Sequence, residues 1–131
     1  MLALGACSDQ SPAKAPDPAA QLQAIPAADS TQYDKIKDMR NWRNPYLIVR
    51  ADGVALLDTA DSAEIILKPE ELLPALAKLP TSYWPYGRVV ASVEDTRNRS
   101  EQAGVAIRKN KGIVGGILGG AHVAVKWVPA G

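Results

Sequence analysis

Two apolar runs, Tyr46-Leu-Ile-Val-Arg50 and Val54-Ala-Leu-Leu57, stand on either side of Ala51-Asp52-Gly53. Asp-Gly between such runs specifies a β-hairpin, because glycine tolerates the positive φ that a tight reversal requires. The hairpin commits the chain to a sheet. Asn44-Pro45 forms a turn ahead of it, and Asp58 to Ser62 a loop that leads to a short strand at Glu64-Ile-Ile-Leu67. Beyond this strand the period changes. Leu72, Leu73, Leu76 and Leu79 recur at three- and four-residue spacing behind Glu70 and Glu71, whose carboxylates suit the first turn of a helix over Pro69 to Leu79. Pro69 fits the first helical position, and Pro74 predicts a kink or a later start. After a turn-rich connection, Pro80 to Pro85, the β-branched segment Arg88-Val-Val-Ala-Ser-Val-Glu94 reads as a strand, central and parallel to a neighbour. Ser100 caps a second helix over Glu101 to Leu118. Ala121 to Val128 alternates, with Val123, Val125 and Trp127 on one face, and makes a last strand. The order β-β-β-α-β-α-β predicts an α+β two-layer sandwich, a mixed sheet with two helices on one face.

Ahead of this domain the composition differs. Residues 1–30 hold Pro12, Pro16, Pro18 and Pro26, no aromatic, and only Leu22 and Ile25 as large apolar residues after Cys7. They carry Lys14 against Asp9, Asp17 and Asp29, a net charge of −2, which leaves +3 for residues 31–131. So little apolar surface does not offset the entropy of ordering, and a disordered linker is expected over 8–32, with the α+β domain over 33–131.

In front of the linker, Leu4-Gly5-Ala6-Cys7 resembles a bacterial lipobox, in which small residues precede a cysteine whose thiol receives a lipid. The chain's only cysteine, near the N-terminus and followed by a Ser/Pro/Ala-rich stretch, fits that pattern. A basic n-region and a full apolar h-region do not precede it within residues 1–7, so these read as the remnant of a signal peptide. The resemblance implies a mature chain beginning at Cys7, attached to the membrane through its lipid. By resemblance to enterobacterial lipoproteins, Ser8, in place of Asp, implies sorting to the outer membrane. No stretch reaches the ~18 apolar residues of a transmembrane helix. A tether of about 25 flexible residues would have an r.m.s. span of about 25–30 Å and hold the domain close to its membrane.

Charge and residue content exclude several function classes. Fifteen Lys plus Arg against fourteen Asp plus Glu leave a net charge of +1, and no basic field points to nucleic acid. One Cys and one His exclude an internal disulfide and a Cys/His zinc site within one chain. No cofactor motif is present: Gly112-Ile-Val-Gly-Gly-Ile-Leu-Gly-Gly120 matches neither a dinucleotide fingerprint nor a Walker loop, and reads as a helix end packed tightly on the sheet with Gly119 or Gly120 as its C-cap. Arg97, Arg99, Arg108, Lys109 and Lys111 form a basic stretch, either a solvated helix face or a contact for lipid phosphates or an acidic partner. His122, between Ala121 and Val123, reads as a structural or surface histidine on an apolar strand. Glu94-Asp95, Glu70-Glu71 and Asp58 with Asp61 lack EF-hand spacing, and neighbours on a strand point to opposite faces, so no catalytic constellation emerges and a non-enzymatic domain is expected.

The densest aromatic cluster is Tyr83-Trp84-Pro85-Tyr86-Gly87-Arg88. Exposed, Tyr83, Trp84, Tyr86 and Arg88 make a surface for an envelope protein or cell-wall component, since Trp, Tyr and Arg dominate interface hot spots; buried, they fill the core of a chain without Phe. Asp52-Gly53, the Glu-Leu-Leu helix, Pro85-Tyr86-Gly87-Arg88-Val89-Val90 and Ala103-Gly104-Val105 together resemble the periplasmic domain of TolR-related biopolymer-transport proteins over residues 46–107. That resemblance implies a transport accessory domain. A small periplasmic enzyme or ligand-binding domain is a further alternative, and requires Glu94, Asp95, Arg88 or His122 to converge on one pocket.

Overall fold

The computed structural model describes residues 17–57, 63–97 and 100–129. Five strands, β1 (Tyr46–Arg50), β2 (Gly53–Leu57), β3 (Glu64–Leu67), β4 (Val89–Glu94) and β5 (Ala124–Trp127), form one sheet in the order β3-β2-β1-β4-β5. β1, β2 and β3 are antiparallel neighbours, while β4 lies parallel to both β1 and β5. The sheet is therefore mixed and the fold α+β, in the expected strand and helix order. Ala51 and Asp52 make the hairpin turn with ordinary negative φ, and the positive φ falls on Gly53, at 152°. A β-carbon there would collide with the Leu67 carbonyl of β3, so glycine is required by close approach as well.

Helix α2 (Leu72–Ala77) follows a 3₁₀ turn over Pro69–Glu71. Its late start places Pro74 in the first turn, where a missing N–H leaves no bond unmade. Helix α3 (Glu101–Gly120) begins with Ala103 N–H donating to Ser100 Oγ at 3.1 Å. Its expected glycine cap is replaced by His122, which takes a φ of 59°. His122 N–H reaches the Gly119 carbonyl at 3.0 Å and Val123 N–H the Leu118 carbonyl at 2.9 Å, the paired bonds of a Schellman ending, and Val123 and Leu118 share the core. His122 thus belongs to a helix terminus and not to the last strand.

The helix side of the sheet buries Leu47, Val54, Leu56, Val90 and Val123 against Leu72, Leu76, Val114 and Leu118. A third helix joins them. Residues 17–32, expected within the linker, include α1 (Pro18–Leu22), N-capped by Asp17, and Leu22 and Ile25 are buried in this core. The backbone of this segment finds partners at the turn before β4: Arg88 N–H donates to the Pro26 carbonyl at 2.9 Å and Asp29 N–H to the Tyr86 carbonyl at 3.0 Å. Each large aliphatic side chain removed from water contributes roughly 1.5–3 kcal/mol, so two such residues help offset the ordering of a short segment that composition alone reads as unfolded. Among the described residues, 17–32 therefore contribute to the packed core, although composition assigns them to the linker. Residues 8–16, Cys7, Asp58, Asp61 and Arg99 lie outside the described residues.

Candidate functional site

Among the described residues, the other face of the sheet is only half covered. Over β4 and the start of β1 it carries Trp42, packed edge-on against Tyr33 at 5.7 Å and Tyr86 at 5.0 Å between ring centroids, above Val89 and Ala91. Asn44, fully buried, ties this layer to the sheet: its Nδ2 donates to the Gly87 and Val89 carbonyls, each at 2.8 Å, and its Oδ1 accepts from Tyr86 N–H at 2.9 Å. Satisfying all three groups is what permits a side-chain amide in the interior.

This arrangement divides the aromatic cluster. Trp84 is buried in the helix-side core with Tyr83 packed against that core, whereas Tyr86 crosses to the opposite face and joins Trp42. The change of layer falls between Trp84 and Tyr86; Gly87, which follows, has a φ of 85°, and a β-carbon there would collide with the Ala27 carbonyl. Arg88 turns away from both, donating from Nη1 to Gln23 Oε1 at 2.6 Å and to the His122 carbonyl at 3.2 Å. Tyr83, Trp84, Tyr86 and Arg88 therefore do not form one exposed surface, because successive residues through a sheet-edge turn are sent to different layers. The acidic candidates separate as well. Arg88 and His122 meet at one end of β4, while Glu94 and Asp95 lie at its other end, about 20 Å away at the rise of a strand.

What the fold does bring together is an apolar row across four strands. Val93 of β4 pairs with Ile48 of β1, Ile48 with Ala55 of β2, and Ala55 with Ile66 of β3, all on the half-covered face. An ion pair between Arg50 of β1 and Glu64 of β3 spans the intervening β2. Ile48 is shared by two shallow clefts. One, about 550 Å³, has Ile48, Leu57 and Tyr46 on its floor with Arg40 and Arg43 at its rim; the other, about 270 Å³, runs between Ile48 and Val93 toward Arg50, Asp95 and Arg97.

Charges around these clefts are matched locally. Burial raises the Asp95 carboxyl, but the Arg97 backbone N–H at 3.0 Å and its guanidinium at 3.1 Å outweigh that effect, and the pKa lies below the ordinary value. The Arg40 guanidinium, donating to Asp38, holds that carboxyl at a pKa of about 2. Arg97 is committed to Asp95, and Lys111 donates to Glu94 at 2.9 Å while standing 4.9 Å from the centre of the Trp127 ring, so the basic stretch is partly neutralised within the domain. Among the described residues, no three His, Cys, Asp or Glu side chains gather as a metal-binding group, and no helix is long and apolar enough to cross a membrane.

Sequence reasoning did not single out Ile48, Leu57, Val93 or Ile66. The signal available was the alternation Tyr46, Ile48, Arg50, which becomes informative only once the register is known. Comparison with protein-family models, curated proteins and solved structures finds no match to this chain, and bears on neither the lipobox resemblance nor the TolR-like one.

Proposed function

We propose that this chain is a lipid-anchored bacterial envelope protein, held through Cys7 at the outer membrane on its periplasmic side, whose α+β domain binds an envelope protein or cell-wall component without catalysing a reaction. The observation that carries this reading is the sequence Leu4-Gly5-Ala6-Cys7, the chain's single cysteine set ten positions ahead of Asp17, the N-cap of α1. Ten residue steps, even fully extended, reach at most about 35 Å. The domain is thereby kept near the bilayer, as a periplasm-facing contact module requires. The half-covered sheet face supports the binding part of the reading: it offers an apolar floor with Arg43 at the rim, which suits a partner bringing carboxylates. The separation of Arg88 and His122 from Glu94 and Asp95 favours binding over catalysis by those groups.

Metabolic labelling with an alkyne fatty acid tests the anchor. The wild-type chain incorporates label and fractionates with membranes, and Cys7→Ala abolishes both. An unlabelled wild-type chain in the cytosolic fraction contradicts the reading.

A further inference from the structure

Strand β3 is an edge of the sheet: β2 pairs with one side of it, and no strand among the described residues pairs with the other. Ile65 and Ile66, on opposite faces of this edge, are 54% and 49% exposed. Edge strands ordinarily resist pairing through a central charge, a proline or a bulge. The opposite edge follows that rule with Lys126 in the middle of β5, but β3 carries Ile-Ile-Leu between its ends and no such device.

Charges flank this run instead, Glu64 as the first residue of β3 and Lys68 directly after its last, and they are opposite. Glu64-Ile-Ile-Leu-Lys68 read against itself in reverse places Glu64 opposite Lys68, Ile65 opposite Leu67, and Ile66 opposite Ile66. Only registers centred on a residue keep matched side chains on the same face of a continuous sheet. Centring on Ile65 would set Glu64 against Ile66, so Ile66 is the centre that matches charge with charge and apolar with apolar. A two-fold interface demands this kind of self-complementarity. Lys68 makes no ion pair among the described residues, whereas Glu64 already pairs with Arg50, so a partner's Lys68 would share that carboxylate with Arg50.

We propose that a second copy of this chain docks on β3, antiparallel and centred on Ile66, joining two five-stranded sheets into one. The partner's backbone takes up the outer N–H and C=O groups of β3, and Lys68 of each copy faces Glu64 of the other. A four-residue edge is a small interface, so the dimer is weak and is sought at protein concentrations up to about 1 mM. The proposal does not depend on lipid attachment.

The test uses the full chain carrying Cys7→Ser, which has no other cysteine. Sedimentation equilibrium shows the mass rising from 13.9 kDa toward twice that value with concentration. Ile66→Lys, which sets two cations on the axis, and Lys68→Glu, which sets Glu against Glu64, each weaken association about tenfold or more at temperatures where circular dichroism shows the variant monomers fully folded. Oxidation distinguishes the register. Ile66→Cys forms a disulfide-linked dimer, because directly opposed Cα atoms lie about 4.5–5.5 Å apart, whereas Ile65→Cys, equally exposed but displaced along the strand, does not. A chain that stays monomeric at the highest concentration, a dimer indifferent to Ile66→Lys, or equal cross-linking at 65 and 66 overturns the proposal.

Discussion

At the scale of single residues, the fold places one side chain where glycine is the usual occupant. His122 holds a φ of 59° at the end of α3, a conformation that costs an L-residue about 1–2 kcal/mol. Its own N–H and carbonyl make the local contacts, and its side chain is exposed. His122→Gly therefore raises stability by about 0.5–1 kcal/mol, the relief of strain less the greater freedom of glycine in the unfolded chain, as read from urea unfolding. The carboxyls of Asp29, Asp38 and Asp95 all have pKa values below their ordinary value of 3.8, with Asp38 at about 2. Each is depressed in the folded state, so between the depressed and the ordinary pKa the folded chain binds fewer protons than the unfolded one. Their stabilisation is complete above about pH 4 and is lost as pH falls toward 2. Circular dichroism melts should show midpoints declining across that window, and Asp38→Asn should flatten part of the decline.

Among the elements, α3 contains glycines that its packing does not use. A β-carbon at Gly112 or Gly116 meets nothing within 4 Å, whereas one at Gly115 would contact Trp127. Glycine in a helix interior costs about 1 kcal/mol relative to alanine, so Gly112→Ala and Gly116→Ala each raise the unfolding free energy by about 0.5–1 kcal/mol. The sequence reading of this stretch as a helix end packed on the sheet holds through buried Val114 and Leu118, while among Gly112, Gly115 and Gly116 only Gly115 comes close to a neighbour. The hairpin, α2, α3 and the strand order were legible because periodicity and turn chemistry act locally. Helix α1 was less so: Asp17-Pro18 is a helix-start signal and Leu22 and Ile25 share a face, but both were averaged into a proline- and alanine-rich stretch. The fate of Tyr83 to Arg88 was not legible at all, since it depends on the change of layer between Trp84 and Tyr86 and on Asn44, distant in sequence, bonding Tyr86, Gly87 and Val89.

For the whole molecule, the consequence is a core that draws on residues 17–32 as well as on the sheet and the two later helices. Leu22 is fully buried among residues from α2, α3 and the sheet, so Leu22→Ala costs about 2–4 kcal/mol and a chain lacking residues 1–26 is correspondingly less stable. If residues 17–32 were an unpacked linker, neither change would alter the unfolding midpoint. The open sheet face was hidden from sequence reasoning for a related reason: which half of a sheet remains uncovered is decided by where residues 28–43 pack, a long-range outcome. The account rests most heavily on the anchor. Mass spectrometry of the protein extracted from cell membranes measures it directly: the account predicts an N-terminal peptide that begins at Cys7 and carries a diacylglyceryl thioether, and an unmodified Cys7 within a peptide that retains Leu4-Gly5-Ala6 would contradict it.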